Sequence, residues 1–542
     1  MIAGLVASEG RPRIPGNGPQ SVAELLERPL AATPDAEALV GRYARYSFAE
    51  LDARANQAAQ AFSELGIAAG DRVAATLPNH PDIVIAFLGA MRLGAIWVGI
   101  PRALAGPEKA YMLEDCGARV YLVDADADDS LASQRDSLSA LDSLIEVRAE
   151  GADAWSARLD AASHTHPPGQ IDPFAPAAIA YTSGTTGLPK GAVHSQHNLL
   201  VPGAVQRWQG RGEDAERHGV CLPLTLLNLM VLGPLVTAQL GTCCVTMDRV
   251  DALGLADWIE RERIGGFSAV PTMVHDLLHH PEVREEQLSS LTRPGVGGAD
   301  LPESFRALYR ERFGAEVTIG YGMTEAPTTV AATDPSARPI PNEAGVALPH
   351  LDVHIRDEQG QRLGPEEVGE ICVAARSEGP WAGVYTPMLG YWGLPDATAE
   401  ALRDGILHTG DLGSLDEAGH LFVKDRRNEL ILRGGANVYP AEVERVLHGH
   451  DAVQACAVVG EADERLGQRV VAFVEASASE AELRAYCRAH LARYKVPEHF
   501  EFVDALPRTA MGKIRKSELK QAASAPPRRQ RLSDGEPKGG IH

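Results

Sequence analysis

Tyr181-Thr182-Ser183-Gly184-Thr185-Thr186-Gly187-Leu188-Pro189-Lys190-Gly191 follows an apolar run at residues 177–180. Four hydroxyls and two glycines fill positions 182–187, and a lysine stands three residues further on. Glycines let backbone N–H groups approach a ligand closely, and hydroxyls add donors for phosphate oxygens. Lys190 adds a point charge suited to terminal phosphates. The spacing is not the G-x-x-x-x-G-K-[ST] of the common nucleoside-triphosphatase loop, which argues against a nucleotide kinase. A Gly/Ser/Thr run also serves as a plain flexible turn, so this stretch alone leaves both readings open.

Around it the chain alternates helices with short apolar strands. Ser47-Phe-Ala-Glu50 is a capping box opening a helix with apolar residues at Leu51, Ala55, Ala58, Ala59, Phe62 and Leu65, closed by Gly66. Residues 71–77 read as a strand, 82–93 as a helix and 95–100 as a strand. The same alternation recurs near 220–223, 266–270 and 317–320. The pattern predicts an α/β class with layered, largely parallel sheets. A second unit begins near Asp425, with helix to about His448, strands at 455–459 and 470–474, a helix at 480–492 and a strand at 500–503. It reads as a small α+β domain. The expected division is 1–425, 426–520 and a disordered tail at 521–542.

The chain has 542 residues, 44% hydrophobic and 23% charged, which is ordinary for a soluble globular protein. Its net charge of −22 argues against nucleic acid as a partner. The seven cysteines are scattered without C-x-x-C spacing and read as reduced thiols. The vicinal pair Cys243-Cys244 fits a buried strand. Residues 1–20 carry no signal-peptide pattern. The apolar stretch 83–100 is interrupted by Arg92 and Gly94 and followed by Pro101, so a helix and a strand fit it better than a membrane span. The expected location is cytoplasmic.

Four further clusters bear on chemistry. Ile319-Gly320-Tyr321-Gly322-Met323-Thr324-Glu325 puts an aromatic, a hydroxyl and a carboxylate at the end of an expected strand. Tyr321 suits stacking on a purine, and Glu325 suits Mg²⁺, since hard cations favour carboxylate oxygens. His408-Thr-Gly-Asp411 places a carboxylate in a tight turn, suited to ribose hydroxyls. Asp425-Arg426-Arg427-Asn428-Glu429 sits at the expected boundary, and Pro507-Arg-Thr-Ala-Met-Gly512-Lys513 presents a lysine beyond a glycine turn. Each alone is more often a surface turn than a site.

Together and in this order, the five motifs resemble the adenylate-forming superfamily: acyl-CoA synthetases, aryl-CoA ligases, luciferases and nonribosomal adenylation domains. The resemblance spans about residues 20–520 and is nearest the acyl-CoA ligase branch. It implies a large ATP- and acid-binding domain and a small C-terminal lid that rotates between two half-reactions. By motif, Thr182, Ser183, Gly184, Thr185, Thr186, Gly187 and Lys190 match the phosphate loop. Gly298, Ala299, Gly320, Tyr321, Gly322 and Met323 belong to the nucleotide site, with Tyr321 as the stacking aromatic. Thr324 and Glu325 match the phosphate and Mg²⁺ pair. Asp411 and Arg426 match the ribose anchors, and Lys513 the lid lysine of adenylation. Arg433-Gly434-Gly435-Ala-Asn-Val-Tyr-Pro440 resembles the lid segment walling the pantetheine tunnel. Gly435 also reads as a plain turn glycine.

The resemblance implies ATP, Mg²⁺ and CoA, a small-molecule carboxylic acid as substrate, and Lys513, Glu325 and Thr324 as the catalytic set. Three departures stand out. The hinge position is Asn428 where Asp or Lys is usual. Thr225 and Leu226 replace an aromatic and a histidine. The segment 377–387 before Gly390-Tyr391-Trp392 is longer than usual. An acid pocket of Leu226, Asn228, Leu229, Gly297 and Ala326 carries no charged side chain, which favours a bulky, largely apolar acid, aromatic or polycyclic. An acid–carrier-protein ligase is the alternative, with basic residues Arg433, Arg465 and Lys495 expected as a positive patch for either donor. A variant running one half-reaction also remains open, as does an oligomer.

Overall fold

Ser47 caps its helix as the sequence requires: its hydroxyl accepts from Glu50 N–H at 3.2 Å, and its own N–H donates to the Glu50 carboxylate at 2.8 Å. The helix Phe48–Glu64 buries Leu51, Ala55, Ala58 and Phe62. It packs on the helix Pro81–Leu93, where a Cβ at Gly89 would lie 2.6 Å from that of Ala58. Gly94 ends the second helix in the left-handed conformation at φ +68°, as glycine does at little cost. The computed structural model describes residues 5, 12–104, 106–124, 138–147, 154–182, 189–210, 217–292, 294–296, 303–334, 337–338, 340–426, 429, 431–433, 436–463, 466–491, 493–508 and 514–523.

The chain divides into two compact units, residues 1–424 and 425–542. In the first, one seven-stranded sheet runs, in spatial order, Gly390–Tyr391, Lys190–Ser195, Pro176–Thr182, Ile96–Gly99, Arg72–Thr76, Val120–Asp124 and Ser143–Val147. From Pro176–Thr182 onward the neighbours pair parallel, while Lys190–Ser195 runs antiparallel to Pro176–Thr182. A six-stranded sheet orders Gly295–Val296, Gly266–Ala269, His218–Val220, Cys244–Thr246, Glu37–Val40 and Arg45–Ser47, parallel except for its last pair. The expected parallel layering holds for these two sheets only.

Two antiparallel sheets complete this unit, one of Gly320–Met323, Thr328–Ala332 and Val346–Ala347, the other built on Leu351–Arg356, Gly369–Ala375 and Ile406–Leu415. The strand expected at 317–320 begins instead at Gly320 and runs through Met323. The β-branched residues that suggested the earlier start lie just before it. All seven cysteines are free and buried, and Cys244 opens a strand. Among the described residues no helix is long and apolar enough to cross a membrane.

The second unit wraps the helices Pro440–His448 and Glu480–His490 on a sheet of Ala436–Val438, Ile431–Arg433, Gly467–Ala476 and Val453–Asp463, with His499–Phe502 parallel to Gly467–Ala476. Ile431, Val443, Leu447, Val458, Val470 and Leu483 form its core. A final helix, Lys516–Ala523, enters the stretch expected as tail, and residues 524–542 lie outside the described set. Lys516 holds Glu429 at 2.9 Å and Glu444 at 2.8 Å. Burial pulls its pKa down, but the two carboxylates outweigh that and raise it above the usual lysine value.

Removing one partner of such a buried cluster leaves charge uncompensated. Lys516→Met should therefore lower the unfolding free energy of this unit by about 3 kcal/mol. Urea unfolding read by circular dichroism checks it, and an unchanged midpoint would show that the cluster contributes nothing.

In the first unit, burial pushes the His194 imidazole down to about 4 and that of His350 to about 3. Both are neutral when folded but take up a proton near 6.5 when unfolded. Their contribution is thus present above pH 6.5 and lost as pH falls toward the folded values. Each should cost about 1.4 kcal/mol per pH unit between roughly pH 6 and 4.5. His350→Leu should flatten the fall of the thermal midpoint over that range; an unaltered slope would count against the assignment.

Candidate active site

The hydroxyl-rich stretch lies in sequence between two paired strands. Strand Pro176–Thr182 pairs with Lys190–Ser195 in a register that sets Tyr181 opposite Gly191 and Thr182 opposite Lys190. A Cβ at Gly191 would sit 2.6 Å from Ile179 Cγ2, so glycine is what permits this close pairing. Thr182 Oγ1 donates to the Lys190 carbonyl at 3.4 Å. Ser183, Gly184, Thr185, Thr186 and Gly187 lie outside the described residues.

The second motif lies on another hairpin. Gly320, Tyr321, Gly322 and Met323 form a strand antiparallel to Thr328–Ala332, and residues 324–327 make the turn between them. Glu325 is buried in that turn at 8% exposure, with Ala326 beside it. Its backbone carbonyl accepts from Met388 N–H at 2.8 Å, and its Oε1 accepts from the Tyr391 hydroxyl at 2.8 Å. The ring of Tyr391 in turn lies 5.4 Å from Lys190 Nζ, within cation–π range. One tyrosine thus links the lysine of the first motif to the carboxylate of the second. Thr324, half-buried, offers its backbone carbonyl to His194, which partly offsets the effect of burial on that imidazole.

Asp411 meets the same hairpin from the Ile406–Leu415 strand. The Tyr321 hydroxyl donates to Asp411 Oδ2 at 2.7 Å, joining two expected nucleotide-site residues that are 90 positions apart. Asp411 is 7% exposed. Residues 408–411, expected as a tight turn, lie instead within that strand, where the pairing with Gly369–Ala375 shifts register between Glu370 and Cys372. Gly410, at φ +73°, donates its N–H to Glu370 Oε1 at 3.2 Å, and Thr409 Oγ1 donates to the Ile371 carbonyl at 2.8 Å. Glu370 Oε2 lies 2.9 Å from His408 Nδ1, and Cys372 Sγ packs 3.6 Å from the same nitrogen. Glu370 and His408 hold the irregular strand segment that carries Asp411.

The acid-pocket segment folds as a short helix, Leu227–Met230, passing into a π-helical turn at Val231–Leu235. Leu227 and Met230 are buried in the core, Leu229 packs half-buried against that core, and Leu226 and Asn228 are half-buried. The Thr225 carbonyl presses on Gly99, where a Cβ would lie 2.0 Å away. That approach fixes where the segment starts.

Lys513, Asn428, Gly434, Gly435, Gly297, Gly298 and Ala299 lie outside the described residues. Arg426 ends the strand Leu421–Arg426, and only its backbone is described. The expected positive patch is not free charge: Arg433 pairs with Glu498, and Lys495 pairs with Glu442 at 2.6 Å, while Arg465 is not described. The sequence reading missed Tyr391, Glu370 and His408 as site residues. The Tyr391-Trp392 pair was visible only as a landmark, and nothing local marks the partner that either ring would find.

A family model for the AMP-binding enzyme matches residues 26–392, and one for the AMP-binding enzyme C-terminal domain matches residues 442–513. The chain belongs to the AMP-binding enzyme family. It is 34% identical over 490 residues to the long-chain-fatty-acid–CoA ligase FadD13 of Mycobacterium tuberculosis, covering 89% of this chain and 94% of that one. To a feruloyl-CoA synthase from Amycolatopsis it is 35% identical over 481 residues, covering 88% and 93%. The ATP-bound structure of MatB from Rhodopseudomonas palustris matches with TM-score 0.82 at 28% identity, over 92% of this chain and 98% of that one. This AMP-binding enzyme is an AMP-forming acyl-CoA synthetase of the adenylate-forming superfamily, an acid–CoA ligase that uses ATP and CoA.

A charge-assisted hydrogen bond to a backbone N–H contributes about 1.5–3 kcal/mol. Glu370→Ala should loosen strand residues 408–411 and raise the KM for ATP about tenfold in acid-dependent ATP–pyrophosphate exchange. An unchanged KM would show that the strand holds Asp411 without Glu370.

Proposed function

We propose that this ligase adenylates a bulky, largely apolar acid, aromatic or polycyclic, and then transfers the acyl group to CoA. The observation that carries the reading is the pocket segment itself. Leu226 and Leu229 are half-buried, Ala326 is small, and no charged side chain occurs in residues 225–231. Thr225 and Leu226 stand where a ring and a histidine are usual, which favours a roomier, uncharged pocket. An amino-acid substrate would leave its ammonium without a carboxylate partner there, at a large desolvation cost.

Within this reading, residues 1–425 bind ATP and the acid, residues 426–520 act as a lid turning about Asn428, and residues 521–542 form a tail. Tyr321 stacks on adenine, and Asp411 with Arg426 holds the ribose. Residues 182–187 and Lys190 grip the leaving pyrophosphate, beside Thr324. The buried carboxylate of Glu325 fits a hard cation, and Mg²⁺ there would neutralise phosphate charge. A carboxylate is a weak nucleophile, and its attack on the α-phosphorus builds negative charge on the phosphoryl oxygens. Lys513 supplies a preorganised positive charge to those oxygens. Gly435 walls the tunnel by which the thiol enters.

A panel of short aliphatic, long aliphatic, aromatic and polycyclic acids in a pyrophosphate-release assay tests the substrate class. Aromatic or polycyclic acids should give the highest kcat/KM. A preference for acetate or for an amino acid would overturn the reading. Adding CoA against a phosphopantetheinyl carrier protein in competition decides the acceptor, with CoA expected.

Lys513→Ala should slow exchange at least a hundredfold, in the range seen when one preorganised electrostatic partner is lost. Thiolysis of a supplied acyl-adenylate should be spared. Equal loss of both half-reactions would reject the assignment.

A further inference from the structure

We propose that Tyr391 is a positioning residue of the adenylation step, holding the Glu325 carboxylate through one oxygen so that the other is available to the divalent cation accompanying ATP. Its phenol donates to Glu325 Oε1 at 2.8 Å, while Glu325 Oε2 takes no hydrogen bond from the described residues. A buried carboxylate with one oxygen fixed has lost most of its freedom to rotate, and a cation meeting it pays less to order it. The same ring lies 5.4 Å from Lys190 Nζ, so one side chain orients both an anionic and a cationic member of the site.

The backbone around Tyr391 is built to keep it there. Gly390 and Tyr391 pair with Val193 and Ala192, on the strand that begins with Lys190. Trp392 N–H donates to the Gly191 carbonyl at 2.8 Å, and Tyr391 N–H to Thr398 Oγ1 at 2.9 Å. On the other side Met388 N–H reaches the Glu325 carbonyl at 2.8 Å. Residues 388–392 are thus tied to the Lys190 strand at one end and to the Glu325 turn at the other. Trp392 occupies the next position on this edge, but its ring N–H serves the Asp115 carbonyl at 3.1 Å and takes no part in the Glu325 contact. It provides a control for a merely structural role.

The inference rests on the reading of Glu325 as the cation ligand, and the experiment separates the two. ATP binding to the full-length protein is measured by calorimetry with Mg²⁺ and with chelator, and the readout is the ratio of the two Kd values. The wild-type protein should bind ATP more tightly with Mg²⁺, and Glu325→Gln should abolish that gain. Tyr391→Phe, which keeps the ring and its packing, should reduce the gain about fivefold. The double variant should match Glu325→Gln, and Trp392→Phe should keep the wild-type gain. If Glu325→Gln loses the gain and Tyr391→Phe keeps it, the role of Tyr391 is overturned and the cation reading stands. If Trp392→Phe loses as much as Tyr391→Phe, the role is structural and the proposal fails. If Glu325→Gln keeps the gain, the cation reading fails and the proposal with it. Thermal midpoints of the variants, recorded alongside, show whether any loss follows unfolding.

Discussion

The strand Lys190–Ser195 runs against the direction of the parallel strands beyond Pro176–Thr182, and the site is organised around that reversal. Parallel strands need long crossovers, whereas an antiparallel neighbour is reached by a short turn. Here the hydroxyl-rich residues stand in sequence between the two strands, and Thr182 and Lys190 on either side of them are held by paired backbone. The far end of the strand is equally fixed. Ser195 and Asn198 form a reciprocal cap that starts the helix Gln196–Trp208, with Ser195 N–H donating to Asn198 Oδ1 at 2.8 Å. The outer edge then receives Gly390–Tyr391, which brings Tyr391 to Lys190 and to Glu325.

A chain of net charge −22 that handles a polyanion must keep its own carboxylates from repelling it. Each described carboxylate of the site has at least one oxygen engaged by a neutral donor. Asp411 accepts from a phenol, Glu325 from another, and Glu370 from a backbone N–H beside the His408 ring. Donors of this kind localise the negative charge and orient it. They do so without adding cations that would compete with Lys190 for phosphate. Selectivity for an anion therefore depends on local donors rather than on the global field, which at this charge works against approach.

The parts of this arrangement that local chemistry dictates were readable in the sequence. The Ser47–Glu50 cap, the Gly94 helix end and the helix–strand alternation follow from short-range rules, and the structure contains them. Glu325 and Asp411 stood out because hydroxyl, glycine and carboxylate cluster around them. Tyr391 did not, because its partner is 66 positions away and is reached only by strand pairing at a sheet edge. The contact of Glu370 with His408 spans 38 positions and depends on the register between two antiparallel strands. Period-2 patterning shows which residues share a face of a strand but not which strand lies next to it. The strand at Gly320–Met323 was misplaced for a related reason. Two glycines in four residues give little β-propensity, and the pairing with Thr328–Ala332 supplies what the residues lack.

The pocket segment shows how a backbone contact can set chemistry at a distance. Gly99 ends a central parallel strand, and the absence of a side chain lets the Thr225 carbonyl come against it. With Thr225 so fixed, its neighbour Leu226 caps the helix Leu227–Met230 from an extended conformation, φ −84° and ψ 119°. Leu227 and Met230 then turn into the core, Leu229 packs half-buried against it, and Leu226 and Asn228 stay half-buried. A larger residue at position 99 would push the whole segment outward. The position of the segment expected to meet the acid is therefore set by a glycine in the sheet as much as by the segment's own residues.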